Sequence, residues 1–194
     1  MATESATPFV STLPILPTAR LTLRPITPAD SAALYELRGI RSVYQWTLAG
    51  VWTSPAQADE MIAYHRANEF TAPLYVIEES RGGAFVGTLG APRALELGYM
   101  LAPGMWGKGY ATEAVDAFFK WWFGREPVEG EEEGKWTAWV DSGNPASLKI
   151  LTRMGFVEVE RLEWENPTLG RRLSIRTEMG RGDWERARKA LERG

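Results

Sequence analysis

The stretch MLAPGMWGKGYATEA occupies residues 100–114 and decides how the chain on either side of it folds. A strand-like run, LELGYML, ends at its start, and apolar residues at helical spacing continue from its end to residue 122. Three glycines stand between positions 104 and 109, a density that weakens both helices and strands. The stretch therefore indicates a tight strand-to-helix turn or a turn whose backbone approaches a ligand.

Phosphate is the ligand class that such a turn favours. The first N–H groups of a helix are unpaired and carry a partial positive charge, and glycines let a phosphate approach them. Two phosphate motifs fail: a Walker loop needs glycine in place of Ala102 and serine or threonine in place of Gly109, and a dinucleotide fingerprint needs glycine in place of Thr112. A pyrophosphate cradle and a plain turn both remain open, and Lys108 either contacts phosphate or lies in solvent.

The rest of the chain alternates between strand and helix patterns. Strands are predicted at 21–25, 74–78, 84–91, 95–101, 135–140, 156–163 and 173–179. Helices are predicted from Thr27, from Ser54 to about Phe70, over 111–122, from Asn144 to Gly155 and over 183–194. Hairpins predict an antiparallel part, while the strand–helix–strand unit across 95–140 predicts a local parallel pair. The fold class is therefore α+β.

Composition excludes several function classes. The net charge of −3 argues against a nucleic-acid-binding surface, and no apolar run is long enough to span a membrane. The absence of cysteine excludes disulfides, thiolate zinc sites and cysteine nucleophiles, and fits a cytoplasmic protein. His65 is the single histidine and has no ligand pattern around it, so we expect no metal site.

The nine tryptophans and the chain ends leave further expectations. The tryptophans either pack in the core, or a few of them, such as Trp46, Trp52, Trp106 and Trp164, wall a groove. The first seventeen residues, broken by prolines, predict a flexible arm. Residues 18–186 predict a single domain, and 187–194 a helical tail. The acidic segment 125–135 predicts an exposed loop.

Three blocks together resemble the GNAT superfamily of N-acetyltransferases, in its RimJ/RimL-like branch. They are RLTLRP at 20–25, ELGYML through WGKGYATEA at 96–114, and NPAS at 144–147 followed by MGF at 154–156. Trp106 stands where other GNAT proteins have arginine or glutamine, a substitution typical of that branch. The blocks lie in the right order and cover most of residues 18–185.

The resemblance implies a GNAT fold. We expect a central, mixed, mostly antiparallel twisted sheet of six or seven strands with helices on both faces. The sheet is expected to splay between the fourth and fifth predicted strands, 95–101 and 135–140. A β-bulge is expected in the fourth strand, and one of its N–H groups would polarise a thioester carbonyl.

The resemblance also implies acetyl-CoA as cosubstrate, with no metal. Pantetheine would enter the gap between the splayed strands, and the N–H groups of residues 107–112 would bind the pyrophosphate. The implied cofactor-binding residues are Tyr99, Met100, Leu101, Trp106, Gly107, Lys108, Gly109, Tyr110, Ala111, Thr112, Asn144 and Ser147. Asn144 also suits a helix N-cap, and both roles are compatible.

The implied chemistry is direct attack of a neutral amine on the thioester. A lysine amine, with a pKa near 10.4, needs a base more than an α-amine with a pKa near 8. Glu96 is the first candidate for a water-relayed base and Glu160 the second, although either can be an ordinary strand-end charge. Ser147 is the candidate acid for the leaving thiolate, or a first-turn serine with only a local hydrogen bond.

The acceptor implied is a primary amine, either on a small molecule or at a protein N-terminus. We expect its pocket to come from the first two helices and the last hairpin. Nucleic acid and membrane are not expected as partners, and the chain is expected to be a monomer or a homodimer. Two alternatives stay open: a non-catalytic module that binds acetyl-CoA, and an interaction protein whose glycine turn binds nothing.

Overall fold

The computed structural model describes residues 11–47, 50–126, 134–166, 169–191 and 193. Over these residues it has the strands β1 Leu16–Pro17, β2 Leu21–Pro25, β3 Leu74–Glu79, β4 Phe85–Arg93, β5 Glu96–Leu101, β6 Trp136–Asp141, β7 Val157–Asn166 and β8 Gly170–Met179. The α-helices are α1 Ser31–Gly39, α2 Arg41–Tyr44, α3 Ala56–Ala67, α4 Tyr110–Gly124, α5 Pro145–Arg153 and α6 Arg181–Leu191.

The strands form one mixed sheet in the order β1-β2-β3-β4-β5-β6-β8-β7. Each neighbouring pair is antiparallel except β5 and β6, which are parallel and joined by the crossover helix α4. The predicted parallel pair is confirmed. The sheet has eight strands rather than six or seven, because the two-residue strand β1 pairs with β2 inside the segment predicted to be an arm.

Helices cover both faces of the sheet, as strand alternation in β3 shows. Tyr75 and Ile77 are buried in the core that contains α4 and α5, whereas Leu74 and Val76 are buried in a second core with α1 and α3. Successive side chains of a strand point to opposite faces, so the two cores lie on opposite sides of β3. We call these the α4 face and the α1 face of the sheet.

The parallel strands β5 and β6 pair at one end only. Over the described part of both strands, the paired position is Glu96 opposite Thr137, where the Thr137 N–H donates to the Leu95 carbonyl at 2.7 Å. On its other edge β5 pairs with β4 as far as Leu101. The register shift between β4 and β5 sets two residues of β4, between Gly90 and Arg93, against one of β5. The extra residue thus belongs to β4, and the expected bulge within 95–101 was placed on the wrong strand.

Contacts cross both predicted domain boundaries. In the segment predicted as an arm, Leu13 and Leu16 are buried in the core, and Thr12 donates two hydrogen bonds to the Glu69 carboxylate. Helix α6 runs through the predicted boundary at 186, since Trp184 in its first turns is buried against Phe123. Apolar burial attaches both segments to the domain. Residues 1–10 and the segment 127–133 of the predicted acidic loop lie outside the described residues.

No helix in the described ranges is both long and apolar enough to cross a membrane.

Candidate active site

The loop before α4 has the backbone geometry that its glycines predict. Gly107 and Gly109 have φ angles of 73° and 79°, in the left-handed region that side chains other than glycine enter at a cost. The N–H groups of residues 107–112 donate to no acceptor in the described parts of the chain. Six consecutive unpaired N–H groups therefore stand at the N-terminus of a fifteen-residue helix.

An ion pair clamps this loop to the start of the sheet. The Arg20 guanidinium donates to the Lys108 carbonyl at 2.9 Å and to the Glu113 carboxylate at 2.7 Å. Glu113 also accepts from the Thr18 hydroxyl at 2.6 Å and from the Arg20 N–H at 2.9 Å. Burial alone raises the pKa of Glu113, but these hydrogen bonds outweigh it and hold the pKa below its ordinary value. The sequence pattern did not predict this clamp, although Arg20 and Glu113 lie in the blocks 20–25 and 96–114.

The side chains of the loop lie outside this backbone cradle. The Trp106 indole N–H donates to the Leu101 carbonyl at 2.8 Å, and its ring is 46% exposed. The Lys108 ammonium lies 3.5 Å from the Met105 sulfur and is exposed. The Tyr110 hydroxyl donates to Glu79 at 2.6 Å. Lys108 is therefore free of a carboxylate partner among the described residues, with its charge beside the cradle.

Tyr99 and Ser147 meet on the α4 face. Their hydroxyl oxygens lie 2.8 Å apart, across a sequence separation of 48 residues. Burial raises the pKa of Tyr99 to about 12, while its hydrogen bond with Ser147 acts in the opposite direction. Asn144 caps α5 by accepting from the Ser147 N–H at 3.2 Å, as its N-cap role predicts. The arrangement holds a serine hydroxyl against a phenol that keeps its proton at neutral pH.

Glu96 lies on the α1 face of β5. Leu97, Tyr99 and Leu101 pack in the core of the α4 face, so Glu96 and Met100 point the other way. The Glu96 side chain is 14% exposed, and its carboxylate accepts from Arg93 at 3.4 Å. A carboxylate thus stands at the one position where β5 and β6 are paired.

Glu160 is not brought to the same place. It lies on β7, the edge strand, with β8 between it and β6. Its side chain is 47% exposed and accepts from Arg176 at 2.9 Å. An exposed carboxylate paired with an arginine is typical of an ordinary surface charge on a strand, which was the alternative role considered for Glu160.

A pocket on the α1 face lies between the segment 45–47 and the strands β6, β7 and β8. Three of its walls are tryptophans: Trp46, Trp139 and Trp164. Arg172 spans the pocket, donating to the Asp141 carboxylate at 2.7 Å and lying over the Trp46 ring at 5.5 Å. Of the four tryptophans singled out from the sequence, Trp46 and Trp164 line this pocket, whereas Trp52 is buried and Trp106 lies by the glycine loop. The last hairpin lines this pocket together with β6 and the segment 45–47 that follows α2, and no residue of α1, α2 or α3 lines it.

His65 is a core residue. It is 3% exposed, its Nδ1 lies 2.7 Å from the Ala72 carbonyl, and burial lowers its pKa. Within the described residues, no group of three or more histidine, aspartate or glutamate side chains is arranged to hold a metal ion.

Together, the mixed sheet with one parallel pair, the open N-terminus of the crossover helix and the Tyr99–Ser147 pair define an acyltransferase domain. The profile of the acetyltransferase (GNAT) domain matches residues 20–157. The chain belongs to the GNAT family of acetyltransferases.

Relatives and solved structures agree with this assignment. YkkB of Bacillus subtilis, an uncharacterized protein, is 29% identical over 162 residues, which cover 78% of this chain and 91% of YkkB. YoaA of the same organism, named an uncharacterized N-acetyltransferase, is 29% identical over 151 residues, covering 74% of this chain and 82% of YoaA. The crystal structure of spermidine N-acetyltransferase from Vibrio cholerae with CoA and spermine superposes with a TM-score of 0.73 at 19% identity, covering 87% and 99% of the two chains. At 19% identity, this similarity shows the fold alone.

The clamp at Glu113 predicts a pH-dependent loss of stability in Glu113→Gln. At pH 7 we expect the variant to lose roughly 1–3 kcal/mol of unfolding free energy, since several hydrogen bonds to a charged group weaken. The folded-state pKa of Glu113 lies below its unfolded value, so this stabilisation is present above the unfolded pKa, near 4.3, and is lost as pH falls through the folded pKa. Urea unfolding at pH 7, 5 and 3.5 measures the difference.

Asp116→Asn is the matched control on the same helix, because its carboxylate meets Arg188 only at 3.7 Å near the surface. We expect it to change stability by less than about 0.5 kcal/mol. The clamp is contradicted if both variants lose the same unfolding free energy. It is also contradicted if the loss of unfolding free energy in Glu113→Gln is the same at pH 3.5 as at pH 7.

Proposed function

We propose that this chain is an acetyl-CoA-dependent N-acetyltransferase that acts on a primary amine by direct attack. The observation that carries the proposal is the run of six unpaired N–H groups at the start of α4, next to a parallel strand pair joined at one end. A helix N-terminus with glycines at positive φ favours binding of a pyrophosphate. The residues present therefore fit coenzyme A.

The backbone of β5 suits the pantetheine arm. Beyond Glu96, the edge of β5 that faces β6 has no paired position in the described part of the chain, although polar backbone groups seek partners. We assign the N–H and C=O groups of residues 99–101 to pantetheine, and the N–H groups of 107–112 to the pyrophosphate. Asn144, at the start of α5, contributes to the same wall. A splay of β5 from β6 belongs to this proposal.

When bound, acetyl-CoA supplies an activated acetyl thioester. We propose that the Ser147 hydroxyl gives its proton to the leaving thiolate and regains one from the acceptor nitrogen, which is positively charged after the attack. Tyr99 keeps its own proton, because its pKa is raised to about 12, and so it can donate to the Ser147 oxygen. That hydrogen bond leaves the Ser147 proton available for transfer. Tyr99 thus positions Ser147, and Ser147 is the proposed acid.

The amine is proposed to approach from the α1 face. The other face is covered by α4 and α5, whose apolar side chains pack on the sheet. Glu96 lies on the α1 face with its side chain 14% exposed, and it is the proposed base, which takes a proton from the ammonium form of the acceptor through water. Glu160, out on the edge strand, is the less favoured of the two carboxylates. The tryptophan-lined pocket contributes the acceptor wall on the hairpin side.

Cofactor binding is tested first by thermal and chemical stability. Acetyl-CoA at a hundred times its dissociation constant is expected to add about 2.7 kcal/mol to the unfolding free energy. Gly109→Ala, strained at a φ of 79°, is expected to weaken this stabilisation, whereas Gly104→Ala, which has open space around it, keeps it. Free-thiol release with a panel of amines then tests transfer. If acetyl-CoA does not stabilise the protein, the proposal is wrong. If acetyl-CoA stabilises the protein but no amine is acetylated, the chain is a non-catalytic module.

Removal of the Ser147 hydroxyl is expected to slow the chemical step. Ser147→Ala is expected to lower kcat by about 100-fold, as general-acid catalysis contributes on that order, with little change in the KM for acetyl-CoA. Tyr99→Phe is expected to lower kcat less, because the serine remains but loses its partner. The exposed Tyr64 provides the control Tyr64→Phe, for which wild-type kinetics are expected. Full activity in Ser147→Ala removes the assigned acid while the cofactor site stands.

The two carboxylates are separated by the pH dependence of their variants. With a lysine-like amine, Glu96→Gln is expected to be slow at pH 7 and to approach the wild-type rate near pH 10, where the amine loses its proton unaided. Glu160→Gln is expected to follow the wild-type profile, since its carboxylate lies on the edge strand. A wild-type profile for Glu96→Gln, or the stronger loss in Glu160→Gln, rejects Glu96 as the base.

A further inference from the structure

Arg38 is a half-buried arginine, and two of its guanidinium nitrogens have no hydrogen-bond partner in the described part of the chain. Its Nε and Nη1 atoms are inaccessible to solvent and donate no hydrogen bond to any described residue. The guanidinium carbon lies 4.7 Å from the centre of the Trp52 ring. Burial lowers the pKa of Arg38 to about 10, which leaves the group charged at neutral pH.

Two other arginines with limited exposure are paired with carboxylates. Arg24 pairs with Asp30 and Glu78, each at 2.7 Å, and Arg172 pairs with Asp141. Arg38 has no ion pair among the described residues. A ring stacked on one face of the guanidinium attracts its charge, but leaves the N–H groups in its plane without acceptors. Burial of an unpaired charge is costly, so an arrangement of this kind favours an anion that completes it.

The position of Arg38 links it to the acceptor side of the proposed site. It stands four residues after Leu34 on α1, on the same side of that helix, and Leu34 is buried in the core of the α1 face. Met100 of β5 packs against that same core. Glu96, the proposed base, lies on the same face of β5 as Met100. The guanidinium thus belongs to the face from which the amine is proposed to approach.

We propose that Arg38 binds a carboxylate of the acceptor, which makes the acceptor an amine that also carries a carboxylate, such as an amino acid. This inference rests on the proposed function, whose acceptor it specifies. Two features favour a carboxylate. Arg38 lies in the last turn of α1, where the helix dipole is negative and disfavours a doubly charged phosphate. A buried, unpaired cation likewise disfavours polyamine acceptors, because like charges would be desolvated together.

The test compares each amine with its uncharged counterpart. An amino acid and its carboxamide present the same amine, so the ratio of their kcat/KM values isolates the carboxylate. For at least one amino acid in a panel of side chains, wild type is expected to favour the acid over the amide by about 30-fold or more, the range for a buried charge pair. Arg38→Met, similar in length and uncharged, is expected to bring this ratio near one. Arg41→Met, at an exposed arginine three residues on, is expected to keep the wild-type ratio.

Two further amines test whether the acceptor carries a phosphate or an additional positive charge instead of a carboxylate. Phosphoethanolamine compared with ethanolamine tests phosphate recognition, and spermidine tests a cationic acceptor. A preference for phosphoethanolamine, or spermidine turnover above that of every amino acid, overturns the proposal. The proposal is also overturned if every amide in the panel has the same kcat/KM as its acid, whatever the total activity. These outcomes leave the acetyltransferase proposal standing, because acetyl transfer is still observed.

Stability gives a readout that does not depend on turnover. Without ligand, Arg38→Met is expected to raise Tm, since it removes an unpaired buried charge. An amino acid that binds is expected to raise the Tm of wild type more than its amide does, and to lose this difference in Arg38→Met. If no amine is acetylated, the proposed function fails, and this Tm difference alone decides the role of Arg38. Should Arg38→Met fold poorly, Arg38→Lys, which keeps the charge but not the planar donors, is expected to reduce the acid-to-amide ratio partially.

Discussion

The packing of α4 on β6 is the contact on which the rest of the domain depends. Three aromatic side chains of α4 surround the ring of Trp136, with centroids 5.3 Å away for Phe118 and Phe119 and 4.8 Å away for Trp122. Edge-to-face aromatic pairs and large buried areas make this contact strong and directional. A parallel strand pair needs a crossover, and this crossover is held so that its N-terminus stands at the open end of the β5–β6 pair. The glycine loop would have no defined position without it.

Because side chains alternate along a strand, the two faces of the sheet hold different parts of the proposed site. In β5, neighbouring residues deliver Tyr99 to the α4 face and Met100 to the α1 face. The proposed acid and cofactor cradle therefore lie on the face that packs against α4 and α5, and the proposed base and acceptor wall lie on the face that packs against α1 and α3. This division agrees with the physical demands of the two ligands. A pyrophosphate needs oriented N–H groups, whereas an acceptor amine needs a carboxylate that solvent can reach.

Much of the fold could be predicted from the sequence because its signals are local. The parallel unit across 95–140 followed from two strand patterns with a helical pattern between them, and the glycine turn followed from residue types alone. The features that the sequence did not predict depend on contacts that no local pattern encodes. Leu13 and Leu16 lie in a proline-broken segment, and only the core below them makes the segment part of the sheet. The extra residue of the β4–β5 pair shows itself only when the two strands are in register.

What the sequence determined by itself is the glycine turn that we propose for the cofactor. Gly107 and Gly109 are the residues that positive φ requires, and the helical pattern after them makes the N–H groups of the turn available. What only the tertiary structure decided is which distant side chains meet. Tyr99 contacts Ser147 across 48 residues and Arg20 contacts Glu113 across 93. Arg38 lies over Trp52 without a carboxylate partner in the part of the chain that the structure describes. The physical reason is that hydrogen bonds and burial depend on distances in space, while the sequence records only distances along the chain.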